Sequence, residues 1–100
     1  MIANDNLPRF SLGQLVATPA ALEALQKAGQ SPAEFLARHQ IGDWGEVDNA
    51  DKKANDEALV NGERLLSAYR TRLGTKLWII TDVTDDNGQR PVSTLLLPSE

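Results

Sequence analysis

A chain of 100 residues with 41% hydrophobic and 24% charged side chains has the length and composition of one soluble globular domain. It contains no cysteine, which excludes a disulfide framework, a thiol nucleophile and a cysteine-based metal site. Ten basic against fourteen acidic residues leave a net charge of −4, short of the basic footprint that broad nucleic-acid binding requires.

The start, "MIANDNLPRF", lacks the basic region and apolar stretch of a secretory signal. No apolar run approaches the roughly 20 residues of a membrane span. A cytoplasmic protein with no membrane association is expected, with residues 1–9 flexible and 10–98 forming the domain. "GQLVAT" (13–18) is short and β-prone, suited to an edge strand or a packed extended segment.

Two punctuated helices follow. Thr18 before Pro19 supplies an N-cap and a first-turn residue, and Gly29 a stop. Ser31-Pro32-Ala33-Glu34 reads as a capping box. Leu22 and Leu25 from the first helix, and Phe35, Leu36 and His39 from the second, are expected to face the core.

"RHQIGDWGE" (38–46) holds the one histidine and one of two tryptophans. As a corner, Gly42 ends the helix, Asp43 caps the next turn with Glu46, and Trp44 is an anchor whose indole N–H finds a carbonyl. As a site, Asp43 and Trp44 are a recognition pair beside His39, which requires the tryptophan to be at least half exposed. Residues 48–60 then read as an amphipathic, mostly solvated helix. Asp48–Lys52 and Lys53–Glu57 are its i,i+4 pairs, and Asn61-Gly62 its stop. The spacing of Asp48, Asp51 and Asp56 is not that of a calcium loop.

The last third changes period. "ERLLSAYRT" (63–71), "KLWIITDVT" (76–84) and "PVSTLLLP" (91–98) are strand-like, and the turn chemistry between them includes Asn87-Gly88. Leu77 and Ile79 face one way, Trp78 and Ile80 the other, so the middle strand is apolar on both faces. The helices can cover one face. The other is left to the N-terminal segment or to a partner, which makes Trp78 a candidate binding residue and allows a homodimer through the sheet. The expected fold is α+β, with three N-terminal helices packed on a three-stranded antiparallel β-meander.

No GxGxxG, P-loop or GxSxG pattern is present, and a lone histidine is poor material for a metal site. No cofactor or metal is expected. Arg64, Arg70, Arg72, Lys76 and Arg90 place five of the ten basic residues within 27 positions. With Tyr69, Ser93 and Thr94 they could line a phosphate groove. Equally, they could blunt exposed strands against edge pairing.

Taken together, "LGQLVATPAALEAL", "GQSPAEFLARHQIGDWG", "LVNGERLLSAY", "GTKLWIITD" and "STLLLP" resemble a family of small proteins encoded on plasmids, phages and integrative elements, often called plasmid-related proteins. The resemblance runs from about residue 10 to 98. It implies a setting among accessory genes of mobile DNA, and carries no activity or catalytic residue with it. The chain departs from that family's pattern in a longer "DDNGQR" segment. It also stops at Glu100, where the family runs on past "LLP" to an acidic residue and a tyrosine, so no role is carried over for that end.

Two functions are expected from these features. The first is a non-enzymatic, protein-binding accessory protein of a mobile element, with Asp43, Trp44 and Trp78 as contact residues and another protein or a second copy as partner. The alternative is a metal-independent ribonuclease laid out like barnase or the RelE-type toxins. There His39 would transfer protons, Arg70 and Lys76 clamp the phosphate, and Tyr69 or Thr94 position it. That alternative requires His39 and the basic hairpin to meet in one cleft.

Overall fold

The computed structural model describes residues 7–100. Its elements in chain order are β1 (Gln14–Ala17), α1 (Pro19–Ala28), α2 (Pro32–Gln40), α3 (Asn49–Asn61), β2 (Leu65–Arg70), β3 (Lys76–Thr81) and β4 (Val92–Leu96). Residues 1–6 of the segment expected to be flexible lie outside the described residues. Arg9 is already tied to the fold through its N–H on the Gln40 carbonyl, 2.8 Å.

The class is α+β, but the expected three-stranded antiparallel meander behind three leading helices is not what forms. The sheet has four strands in the order β1-β4-β3-β2 and is mixed. β2–β3 and β3–β4 pair antiparallel, while β1 lies parallel to β4, with Gln14 opposite Val92 and Ala17 opposite Leu95. The helices do not open the chain either, because β1 precedes all of them. Parallel neighbours need a long crossover. Here that crossover holds all three helices and the β2–β3 hairpin.

Local chemistry explains the helices. Thr18 Oγ1 accepts from the Ala21 N–H (3.1 Å), Pro19 starts α1 and Gly29 closes it in the left-handed region at φ 67°. α1 buries Ala21, Leu25 and Ala28, spaced i, i+4, i+7. Leu22, expected in the core, falls off that stripe and is 45% exposed. Ser31 makes no side-chain cap, so the expected capping box does not close, and the Glu34 carboxylate accepts instead from the Gln30 amide (2.8 Å). On α3, Asp48 accepts from the Asp51 N–H (2.8 Å). Neither expected ion pair forms there: the ion pairs among the described residues are Glu23–Lys27, Arg38–Asp43 and Glu46–Arg70. Among the described residues no helix is long and apolar enough to cross a membrane.

Strand alternation decides what is buried. Leu65, Ser67 and Tyr69 on β2, Leu77, Ile79 and Thr81 on β3, and Ser93 and Leu95 on β4 point inward. Ala21, Leu25, Phe35 and Leu36 pack on Tyr69, Leu77, Ile79 and Leu95 as the main core. Trp44, Ala58 and Leu65 form a second cluster with Phe10, Val47 and Leu59. Burying each large aliphatic side chain contributes about 1.5–3 kcal/mol.

The β2 edge is sealed. The Asn55 amide pairs with both backbone groups of Leu66, at 2.8 and 3.0 Å. Gly45 bridges Ala68, whose N–H donates to the Trp44 carbonyl (3.1 Å) and whose carbonyl accepts from Glu46 (2.6 Å). Gly45 sits at φ 75°, and a Cβ there would lie 2.0 Å from the Ala68 oxygen. Only glycine allows so close an approach.

Candidate functional site

His39 is fully buried and heads a chain of hydrogen bonds whose direction the far end sets. Ser93 donates to the Leu12 carbonyl (2.7 Å), which can only accept. Thr81 therefore donates to Ser93 (2.7 Å), and His39 Nε2–H donates to Thr81 (2.8 Å). His39 Nδ1 is then left to accept from the Ser67 hydroxyl (2.5 Å). The ring is a neutral imidazole with both nitrogens used, boxed edge-on by Phe10 and Trp44 at 5.2 and 5.6 Å. Burial, followed by the nearby Arg90 charge, lowers its pKa to about 4. The chain crosslinks α2, β2, β3, β4 and the segment before β1. It is a structural polar network, and its histidine does not change charge near neutral pH.

The "RHQIGDWGE" corner is structural in the same way. Trp44 is 4% exposed, far from the half exposure that a recognition role requires. It stacks on Phe10 at 6.4 Å, and its indole N–H donates to the Asp56 carboxylate (3.1 Å), not to a carbonyl. Asp43 accepts from Arg38 Nε (2.7 Å) and from the Gly45 N–H (3.2 Å). The Arg38 hydrogen bond is the main reason its carboxyl pKa is lowered. Glu46 binds Arg70 Nε (2.8 Å) and does not cap the turn.

The basic constellation is dispersed. Tyr69 is buried on the inner side, its hydroxyl donating to the Asp43 carbonyl (2.6 Å), and burial pushes its phenol pKa up. Arg70 and Lys76 are register partners on the opposite, outer side, as is Thr94. The sheet therefore separates His39 and Ser93 from Arg70, Lys76 and Thr94; Tyr69 borders one groove with Lys76, but His39 does not line that groove. Arg72 donates to the Ala28 carbonyl at the end of α1 (3.2 Å), and Arg64 is exposed. Arg90 is a buried strut: it donates to the carbonyls of Glu63 (2.7 Å), Asp82 (2.9 Å) and Ala58 (3.0 Å). Among the described residues no group of three His, Cys, Asp or Glu side chains could hold a metal ion.

What remains is the outer sheet face. Its central row runs in register across all four strands: Val16, Thr94, Ile80, Leu66. Beside it run Leu96, Trp78 and Ala68. Val92 extends the apolar surface towards the start of β4. None of these residues belongs to either core cluster, and α3 reaches only the β2 margin, where Asn55 binds the Leu66 backbone. Val16 is exposed and the rest are part-exposed. Arg70 and Lys76 border the face at one end, with exposed Arg64 and Asp82 at the other. Towards β2 the face deepens into a groove between Leu66, Ala68, Trp78 and Lys76 on one side and Glu46, Val47, Asp48 and Asp51 on the other. Of the three expected contact residues, only Trp78 lies here. Leu66, Ala68, Val92, Thr94 and Leu96 were legible in principle from alternation, once the strand register is known.

Comparison of the chain with protein-family models, with curated proteins and with solved structures returns no match.

Proposed function

We propose that the chain is a non-enzymatic protein-binding module that docks a partner protein on its outer sheet face, as an accessory protein of a mobile genetic element. The observation that carries the binding role is the row Val16–Thr94–Ile80–Leu66, apolar except for Thr94, with Trp78 beside it, which among the described residues belongs to neither core cluster. An antiparallel sheet region with one face solvated normally alternates apolar with polar residues, and this one presents apolar residues to both sides. The apolar centre bordered by charge at both ends matches the core-and-rim layout of protein interfaces. The mobile-element setting comes from the sequence resemblance. A buried, neutral His39 on the far side of the sheet from Arg70 and Lys76 favours binding over phosphodiester chemistry.

The test is a paired capture from host extract with the wild-type chain and Ile80→Glu, which charges the middle of the face without touching the core. A protein retained by the wild type and lost from a variant with unchanged circular dichroism supports the reading. Identical proteins retained by both would remove it.

A further inference from the structure

The two edges of the sheet are treated differently. On β2, Asn55 and the Trp44–Glu46 segment occupy the outward backbone groups of Leu66 and Ala68. β1, at the other edge, has no backbone partner on its outward side among the described residues. Its bonds to β4 use the N–H groups of Gln14 (to Pro91 carbonyl, 2.9 Å) and Thr18 (to Leu95 carbonyl, 3.0 Å). Alternation then points the N–H and C=O of Leu15 and Ala17 away from β4. Among the described residues no hydrogen bond reaches those four groups. Leu15 also sits on the inner side, in register with buried Ser93, yet is 54% exposed. Leu15 to Ala17 border a groove completed by Pro32, Leu36 and Leu95, open beside the free edge.

We infer that β1 pairs antiparallel with β1 of a second copy, about a two-fold axis at Val16. Leu15 faces Ala17 of the partner subunit, and Ala17 faces Leu15 of the partner subunit, each pair exchanging two hydrogen bonds. The outward groups at 15 and 17 are symmetric about 16, so this one register satisfies all of them on both copies. Val16 meets Val16 of the partner subunit as a non-hydrogen-bonded pair, on the outer side. Inward, the side chain of Leu15 of the partner subunit reaches the groove at Pro32 and Leu36. Gln14–Ala17 carries no charge, so two chains of net charge −4 meet along an uncharged line. Edge strands kept apart from one another usually carry a lysine or a proline, and this one has neither.

A four-residue strand is roughly 13 Å long, so the contact falls in the class below about 1,200 Å² and the dimer is weak and concentration-dependent. The pairing leaves the outer faces free and joins them into one eight-stranded surface, so two docking sites lie side by side. This inference does not depend on the binding role of that face.

The absence of native cysteine makes the register directly measurable. Opposed Cα atoms in a non-hydrogen-bonded pair lie about 4.5 Å apart, within disulfide range, whereas Gln14 would be separated from its own copy by several residues. Under mild oxidation Val16→Cys is expected to form a covalent dimer at least about tenfold faster than Gln14→Cys, or than Val60→Cys on the exposed side of α3. The uncrosslinked wild type is expected to sediment towards the dimer between about 10 and 500 µM, and Leu15→Lys to stay monomeric with unchanged circular dichroism. A wild type that stays monomeric over that range overturns the inference. So does a wild-type dimer in which Val16→Cys crosslinks no faster than Val60→Cys, which would place the contact elsewhere.

Discussion

Acidification should destabilise this protein through its single histidine. His39 is neutral in the fold, with a pKa lowered from 6.5 to about 4 because the ring is buried among Phe10, Trp44, Ser67 and Thr81, with Arg90 nearby. The unfolded chain binds a proton near pH 6.5 and the folded chain does not. Stability is therefore fully present above pH 6.5 and lost as pH falls from 6.5 to about 4. The shift corresponds to about 3 kcal/mol, with a slope approaching about 1.4 kcal/mol per pH unit near pH 5. That is a large share of the roughly 5–15 kcal/mol of a domain. Asp43 and Glu100 have lowered pKa values and also lose stability on acidification, but in a window that opens at the ordinary carboxylate pKa and runs downward from there. The upper half of the transition belongs to His39. Urea unfolding at half-unit steps from pH 7.5 to 4.5, for wild type and for His39→Gln, measures it. The wild type should lose stability on this slope and the variant should stay nearly flat. A flat wild-type profile, or a histidine titrating near pH 6.5 by NMR, would refute the account of the polar chain.

Four substitutions test the packing. Gly45→Ala drives a Cβ into the Ala68 carbonyl and the Tyr69 ring at a positive φ; it should cost at least about 2 kcal/mol and lower Tm by more than about 8 °C in a thermal melt. Arg90→Met leaves the carbonyls of Glu63, Asp82 and Ala58 without their cationic donor and should cost about 2–4 kcal/mol by urea titration. Ile79→Ala on the inner face should cost about 2–5 kcal/mol and Ile80→Ala on the outer face less than about 1.5 kcal/mol; equal costs would mean that the outer face is covered.

The helices were readable because their signals are local. Thr18, Pro19 and Gly29 bracket α1, and Asp48 and Gly62 bracket α3, each acting within a turn of its own position. The β2–β3–β4 segments announce themselves by period and by Asn87-Gly88. The fourth strand's place was not legible. "QLVA" reads as extended, but its partner β4 lies almost 80 positions away, and nothing in four residues says whether pairing is parallel or with which strand. The same distance hid the polar chain. Ser67, Thr81 and Ser93 sit at inner strand positions that look solvent-facing by residue type, and only the register brings them to His39. Arg90 reads as one more surface cation because the carbonyls that hold it come from α3, the segment before β2 and the residue after β3. Leu22 failed as a core residue because α1 lies close to the sheet on its small residues, Ala21 and Ala28, which turns Leu22 outward.

The docking claim is tested most directly by hydroxyl-radical footprinting of the chain, free and with a captured partner. Oxidation at Trp78, Ile80 and Leu66 is expected to fall on binding, while exposed Val60 and Leu73 stay as reactive as in the free chain. Protection at Val60 or Leu73 with Trp78 unchanged would place the partner elsewhere and contradict the account.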